Sequence, residues 1–420
     1  MYKIVIEGGY KLKGEVTVSG AKNAVLAILP AALLADTPTV LENVPRLTDV
    51  TTMLEVLRFI GADVEQRKDS VKIQPRFKTY KAPYELMKKM RASFYIAGPL
   101  LARLGRAEVA LPGGCVIGSR PVDFHIQGFQ TMGATVNLEH GFMKAKAKKL
   151  KGVKHTLDPR WCSVGTTINL MMAAVLAHGL TVIENAAKDP EVVDLAHFLI
   201  KMGSEIKGAG THTIEVHGVR SLKGAVHRVI PDRIEAGTYL AAGAITAGEV
   251  TVDGVPCGFL ESVLVKLKEM GCEIRRDISR VKVIGQQRFR AADLITAPYP
   301  GFPTDMQPSL VAILSKARGI SVVEETIHDS RFRYVDELRR MGADVRMKDN
   351  MALIHGQDHL TGAPVEASDL RAGAALVLAG LCAEGKTEVY GTEYIERGYE
   401  HLEAKLSKLG ARIKRTDDDR

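Results

Sequence analysis

The chain has 420 residues, 46% hydrophobic and 25% charged, with 57 basic against 49 acidic side chains and a net charge of +8. This balance excludes a disordered chain, a collagen-like fibre and a disulfide-rich mini-domain, and no apolar run reaches the ~18–20 residues of a bilayer-spanning helix. Five scattered cysteines point to reduced thiols rather than a disulfide framework, and the opening Met1-Tyr-Lys-Ile-Val-Ile-Glu7 has no apolar core of a signal peptide, so a cytoplasmic protein is expected.

From the N-terminus, Gly14-Glu-Val-Thr-Val18 alternates as a strand does. Residues 6–23 resemble 215–233 and 355–371, so residues 1–21 are expected to supply the closing strands of a unit at the far end of the chain. A helix rich in Ala and Leu follows over 24–34, then a short strand, then a second helix ending Leu57-Arg-Phe-Ile-Gly-Ala-Asp-Val64. That last phrase returns around Gly133, Gly203, Gly271, Gly342 and Gly410, at steps of 72, 70, 68, 71 and 68 residues from Gly61. Each copy reads as a helix stopped by a left-handed glycine and followed by a strand. Because 420 is six times 70, the whole length divides into six repeats.

Each repeat also carries an Ala/Leu/Gly-rich helix, as in Ile168-Asn-Leu-Met-Met-Ala-Ala174 and Gly237-Thr-Tyr-Leu-Ala-Ala-Gly243. A helix that is apolar nearly all round belongs in the middle of a core. The strands, such as Thr213-Ile-Glu-Val-His217, alternate and so keep one face wet. Helices inside and sheets outside, with too many helices for one axis, predict an α/β fold: a two-lobed inside-out α/β barrel with three repeats per lobe. The predicted lobes are 22–229, and 1–21 with 230–420, so that the chain crosses between them twice at a hinge. Six lysines between Lys144 and Lys154 account for most of the +8. The alternation Met143-Lys-Ala-Lys-Ala-Lys148 predicts a charged edge strand that discourages aggregation. A nucleic-acid patch is disfavoured by an aromatic content of 5%, which leaves few stacking platforms.

Aligned on the repeat, the buried helices all begin at polar residues: Lys22-Asn23, Arg91, Ser163-Val-Gly165, Asp232-Arg233, Thr304-Asp305 and Asp369-Leu-Arg371. Ordinary capping accounts for Ser163, Thr304 and Asp232. It does not account for Lys22, Arg91 or Arg371, since a cation opposes the helix dipole there unless an anion also binds. An anion-binding cleft formed by helix starts from both lobes is the expectation.

One loop breaks the repeat: Leu111-Pro-Gly-Gly-Cys-Val-Ile-Gly-Ser-Arg-Pro-Val-Asp123. Its glycines and prolines predict an active-site lid carrying Cys115 and Arg120, where a cation favours the thiolate. Cys272 and Cys382 read as packing residues, Cys257 has no nearby cation, and Cys162, just before a helix start, is the rival to Cys115. The matching loop of the last repeat supplies Arg397. No metal-ligand spacing, dinucleotide fingerprint or P-loop is present in the sequence, so neither metal nor cofactor is expected.

At these residues the sequence resembles the enolpyruvyl transferase family, over essentially its whole length. The matching motifs are Ser19-Gly-Ala-Lys-Asn23, Arg91-Ala-Ser93, the Leu111–Asp123 loop, Ser163-Val-Gly165, Pro231-Asp-Arg-Ile-Glu235, Phe302-Pro-Thr-Asp-Met-Gln307, Asp369-Leu-Arg371 and Arg397-Gly-Tyr399. The resemblance is to the branch whose acceptor is UDP-N-acetylglucosamine. It implies transfer of the enolpyruvyl group of phosphoenolpyruvate to the 3-hydroxyl of that sugar, with release of phosphate, for peptidoglycan synthesis. It implies Cys115 as the acid at the methylene carbon, and so as the group that fosfomycin alkylates, and Asp305 as the base. Lys22, Arg120 and Arg397 would hold phosphoenolpyruvate. Asn23, Arg91, Arg120, Pro121, Val122, Asp123, Phe124, Ser163, Val164 and Gly165 would meet the UDP-sugar, as would Asp305, Ile327 and Arg371, with Asp232, Glu235 and Asp369 in support. A monomer without nucleic-acid, membrane or cofactor partners is expected. The alternatives are a shikimate 3-phosphate-dependent enolpyruvyl transferase, with a Lys-Ser pair where this chain has Lys22-Asn23, and an RNA-end-processing or binding protein built on related repeats.

Overall fold

The structure, a computed structural model, describes residues 2–111, 122–159 and 162–418. The expectations for Cys115, Arg120 and Pro121, and for the lid they would ride on, lie outside the described residues. The described chain divides into two compact units, one from Gly20 to Ile230 and the other holding the residues up to Ser19 and those from Pro231 onward. Each has its own hydrophobic cluster.

The first unit is built on α1 (Lys22–Ala31), α2 (Ala97–Leu104) and α3 (Val164–Ala174), the second on α4 (Arg233–Ile245), α5 (Gln307–Leu314) and α6 (Leu370–Cys382). Every residue of α4 and α5 is buried, as the lack of a polar face requires. In the second unit the three helices pack on one another. In the first, α2 packs on α3, and a 3-10 turn (Arg91–Ile96) leading into α2 packs on α1. α2 is the least central of the six: its last three residues emerge from the core.

Among the described residues three four-stranded sheets serve each unit, all with one strand order. A short edge strand runs parallel to the strand that follows the buried helix; that strand pairs antiparallel with a third, which pairs antiparallel with the fourth, through a hairpin in every sheet but the one that holds Tyr2–Glu7. In the first unit Val226–Arg228 lies beside Thr39–Glu42, then Ser70–Gln74, then Asp63–Gln66. The N-terminal segment joins the second unit. Tyr2–Glu7 sits between Lys386–Tyr390 and Arg412–Asp417, and Lys13–Thr17 lies parallel to Glu249–Asp253. The chain thus passes between units at Ser19–Gly20 and again at Ile230–Pro231. Within the second unit the Asp232 N–H donates to the Ser19 carbonyl at 2.9 Å; within the first, the Ala21 N–H donates to that of Ile230 at 2.7 Å.

The recurring glycines Gly61, Gly133, Gly203, Gly271, Gly342 and Gly410 all have positive φ, between 90° and 122°. A side chain there would be strained, which explains why glycine returns at each helix end. The lysine-rich strand departs from its expectation. Phe142–Lys146 is not an edge: it pairs with Arg106–Ala110 on one side and Thr135–Glu139 on the other. Its alternation is real, but the wet face belongs to an interior strand, where Lys144 meets Glu139 at 2.8 Å. Period-two patterning reports which face is wet and not where in a sheet a strand lies.

Candidate functional site

In the first unit, Lys22 opens α1 and is buried, with its ammonium 2.8 Å from Asp49 of the helix Thr48–Ile60. The sequence argument that only an anionic ligand could justify a cation here is therefore incomplete, because a buried carboxylate already faces it. Asn23, one residue on, is exposed. Arg91 opens the 3-10 turn and stands close enough to His125 to act on its charge. Burial, then the Arg91 charge, push the His125 imidazole down to about 3, so it is neutral at physiological pH. Its Nδ1 lies 3.1 Å from Asn169 Nδ2. The Asn169 amide also donates to the Phe94 carbonyl at 3.2 Å while its oxygen accepts from the Gly98 N–H at 2.9 Å. With that amide as donor, His125 Nδ1 accepts and Nε2 carries the proton.

His125 lies on the helix Asp123–Thr131, beside the start of α3, where a Cβ on Gly165 would stand 3.3 Å from the ring. Ser163 caps α3, accepting from the Thr166 N–H at 3.2 Å, and Val164 and Gly165 form its first turn. Asp123 is exposed, and Val122 and Phe124 are half-buried. The structure thus brings Arg91, Ser163, Val164 and Gly165 together around His125 and Asn169, two residues the sequence reading missed. The available signal for His125 was its spacing of four from the buried Phe129 on one helix face.

In the second unit, Asp232 and Asp369 are helix caps. Asp232 accepts from the N–H groups of Ile234 and Glu235 (2.8 and 3.0 Å), and Asp369 from those of Arg371 and Ala372 (2.8 and 3.1 Å). Glu235 is buried inside α4. It accepts from the Ser19 N–H at 2.7 Å and from Lys405 at 2.6 Å, yet burial raises its carboxyl to about 7. Asp305 lies in the 3-10 turn Thr304–Met306 and is gripped from two sides, by Arg331 at 2.9 Å and Arg371 at 3.0 Å. Both arginines are nearly fully buried. Arg371 also stacks over the Tyr399 ring at 5.4 Å, and the Tyr399 hydroxyl is 2.9 Å from that of Thr238. Nε and Nη1 of Arg371, Nε of Arg331 and Nε2 of Gln307 are buried without a hydrogen-bond partner among the described residues. Buried donors left unmatched are costly. Arg397 is half-buried just after the helix Thr392–Ile395. Ile327 has its N–H committed to Glu325 Oε1 at 2.9 Å, so of its two backbone polar groups the carbonyl is the one left to meet a ligand. Arg331 and Glu325 were not singled out by the sequence.

None of the four described cysteines has its thiolate favoured. Burial pushes the Cys272 thiol up to about 12 and the Cys382 thiol up to about 11, and it also raises those of Cys162 and Cys257. Among the described residues no three His, Cys, Asp or Glu side chains converge as a metal site, and no helix is long and apolar enough to cross a membrane.

Comparison with known proteins adds the following. Residues 6–406 match the family EPSP synthase (3-phosphoshikimate 1-carboxyvinyltransferase). The chain is 52% identical to UDP-N-acetylglucosamine 1-carboxyvinyltransferase 1 of Caldanaerobacter subterraneus subsp. tengcongensis, over 98% of this chain and 99% of that protein. It is 54% identical to UDP-N-acetylglucosamine 1-carboxyvinyltransferase of Halothermothrix orenii, over 99% and 100%. Among solved structures, the enolpyruvyl transferase NikO from Streptomyces tendae superposes with a TM-score of 0.88 at 25% identity, covering 99% of both chains. EPSP synthase from Acinetobacter baumannii, at 19% identity and a TM-score of 0.76 over 99% of this chain and 100% of that one, shares the fold.

Proposed function

The chain belongs to the enolpyruvyl transferase family, within it to the UDP-N-acetylglucosamine 1-carboxyvinyltransferases, and from that premise we propose how its residues divide the work. The reaction moves the enolpyruvyl group of phosphoenolpyruvate onto the 3-hydroxyl of UDP-N-acetylglucosamine and releases phosphate, the opening step toward peptidoglycan precursors. The observation that supports this reading best is the carboxylate of Asp305 held between Arg331 and Arg371 at helix starts of the second unit, in a chain whose curated relatives match it end to end.

In the proposed mechanism Cys115 gives its thiol proton to the methylene carbon of phosphoenolpyruvate. The sugar 3-hydroxyl attacks the adjacent carbon and yields its proton to Asp305. The tetrahedral adduct then loses phosphate, and the same methyl group returns a proton, restoring the double bond. Lys22, Arg120 and Arg397 hold the phosphate and carboxylate, for which charge-assisted bonds are the effective tool. Arg91, Ser163, Val164, Gly165 and the 120–124 segment meet the UDP, with Asn23 beside them. Asp305, Arg371 and the Ile327 carbonyl meet the sugar. Asp232, Glu235 and Asp369 hold the helix starts in place. Cys115 and the 120–121 part of this assignment rest on the sequence motif. The working lobes are proposed as 22–229, and 1–21 with 230–420. The enzyme is proposed to act in the cytoplasm as a monomer, with no nucleic-acid partner. Intact-mass and peptide analysis after fosfomycin treatment tests the role of Cys115: a single adduct on that residue with loss of activity is expected, and full activity with no adduct there would overturn it.

A further inference from the structure

Glu325 is almost fully buried at the end of the strand Ile320–Glu324, yet among the described residues no cation donates a hydrogen bond to it. Its Oε1 accepts from the Thr296 hydroxyl (2.9 Å), the Ile327 N–H (2.9 Å) and the His328 N–H (3.1 Å). Its Oε2 accepts from the Thr304 hydroxyl at 2.9 Å. The residue is itself fixed: its N–H donates to the Asn350 carbonyl at 2.9 Å, and the Asn350 amide donates to its carbonyl at 3.0 Å. Thr296 closes the frame by accepting from the Thr326 N–H at 2.8 Å. Four donors on one carboxylate saturate it, and an uncharged side chain cannot accept in all four directions.

The donors belong to three segments, Thr296 lying just after the short strand Leu294–Ile295. Thr304 is the neighbour of Asp305 in its 3-10 turn, whereas Ile327 and His328 form the turn after the strand. The peptide between Ile327 and His328 is planar, so an N–H of His328 aimed at Glu325 turns the Ile327 carbonyl the opposite way. We propose that Glu325 is a positioning residue for the acceptor: its single carboxylate sets the Asp305 turn and the direction of the Ile327 carbonyl relative to one another. This rests on the reading above, in which those two groups meet the sugar.

The test separates sugar from nucleotide. UDP and UDP-N-acetylglucosamine are titrated into wild type, Glu325→Ala, Glu325→Gln and Thr304→Val, with kcat and KM for each substrate measured alongside. Glu325→Ala is expected to lose about tenfold or more of its affinity for the UDP-sugar while its affinity for UDP stays within about twofold. Glu325→Gln, which keeps one acceptor for the backbone N–H groups, is expected to recover most of that margin. Thr304→Val is expected to lower kcat more than it changes UDP-sugar binding, because it frees only the Asp305 side. Equal weakening of UDP and UDP-sugar, or an unchanged margin in Glu325→Ala, would overturn the proposal. Should Glu325→Ala fail to fold, unchanged kinetics in both Glu325→Gln and Thr304→Val would do so. A wild-type chain that binds UDP-sugar no better than UDP would sink the underlying functional reading instead.

Discussion

The two units use the same repeat and put different chemistry at its helix starts. From Gly20 to Ile230 the starts lean cationic: Lys22 opens α1, Arg91 leads into α2, and a neutral serine caps α3. In the other unit the caps are the carboxylates Asp232 and Asp369, and the buried arginines Arg331 and Arg371 are both matched to Asp305. The first arrangement suits the binding of anions. The second suits the holding of a fixed carboxylate, the one proposed to face the acceptor hydroxyl. A repeat fixes where a polar group stands; neighbouring elements decide whether it is spent inside the protein or left for a ligand.

The largest effect expected at these ends is for Asp305. Asp305→Ala leaves two buried guanidiniums without their shared carboxylate, which costs about 3–5 kcal/mol. Loss of the proposed base is expected to lower turnover about 10²- to 10⁴-fold. Asp305→Asn should keep more of the stability and equally little activity, as denaturant titration with phosphate release would show. In the first unit, Lys22→Met leaves Asp49 buried without the cation beside it. A stability loss of similar sign, about 3 kcal/mol or more, is expected with a raised KM for phosphoenolpyruvate. If only KM changed, the Lys22–Asp49 pair would be dispensable to the fold.

The units should also answer pH in opposite directions. His125 is depressed from 6.5 to about 3, so the unfolded chain takes up its proton first, and stability is lost as pH falls from about 6.5 toward 3, by about 1.4 kcal/mol per unit. Glu235 is raised from 4.5 to about 7 by burial, so its contribution is present below 4.5 and is lost as pH rises toward 7, by about the same slope. Between about 4.5 and 6.5 the two cancel. Relative to wild type, His125→Gln should lose stability with rising pH across that window, and Glu235→Gln should gain it. Parallel curves for all three proteins would show that neither group is shifted as described. The smallest effects belong to the caps: Ser163→Ala and Asp232→Ala should each cost about 1 kcal/mol in urea titrations.

The repeat, its glycine-stopped helices and the buried character of the Ala/Leu-rich helices were legible in the sequence because each is a local pattern. The pairing of Val226–Arg228 with Thr39–Glu42, that of Lys13–Thr17 with Glu249–Asp253 and the insertion of Tyr2–Glu7 into the last sheet involve partners far apart in the chain, and only the internal resemblance of 6–23 to later segments hinted at them. The lysine strand was misplaced because alternation carries no information about neighbours. The residues missed at the site, Asp49, His125, Asn169, Glu325 and Arg331, share one cause: each matters through a side chain on another element. Glu325 did leave a trace, since it continues the buried parity of Ser321 and Val323. A carboxylate at the next inward position is a signal that pattern reading can use.

The central claim is enolpyruvyl transfer to the UDP-sugar with Cys115 as the acid, and phosphate release measured in the presence of phosphoenolpyruvate tests it most directly. Wild type should release phosphate only when UDP-N-acetylglucosamine is also present, and Cys115→Ser should be slower by about a hundredfold or more. Release that requires shikimate 3-phosphate instead, or a Cys115→Ser rate equal to that of wild type, would contradict the account.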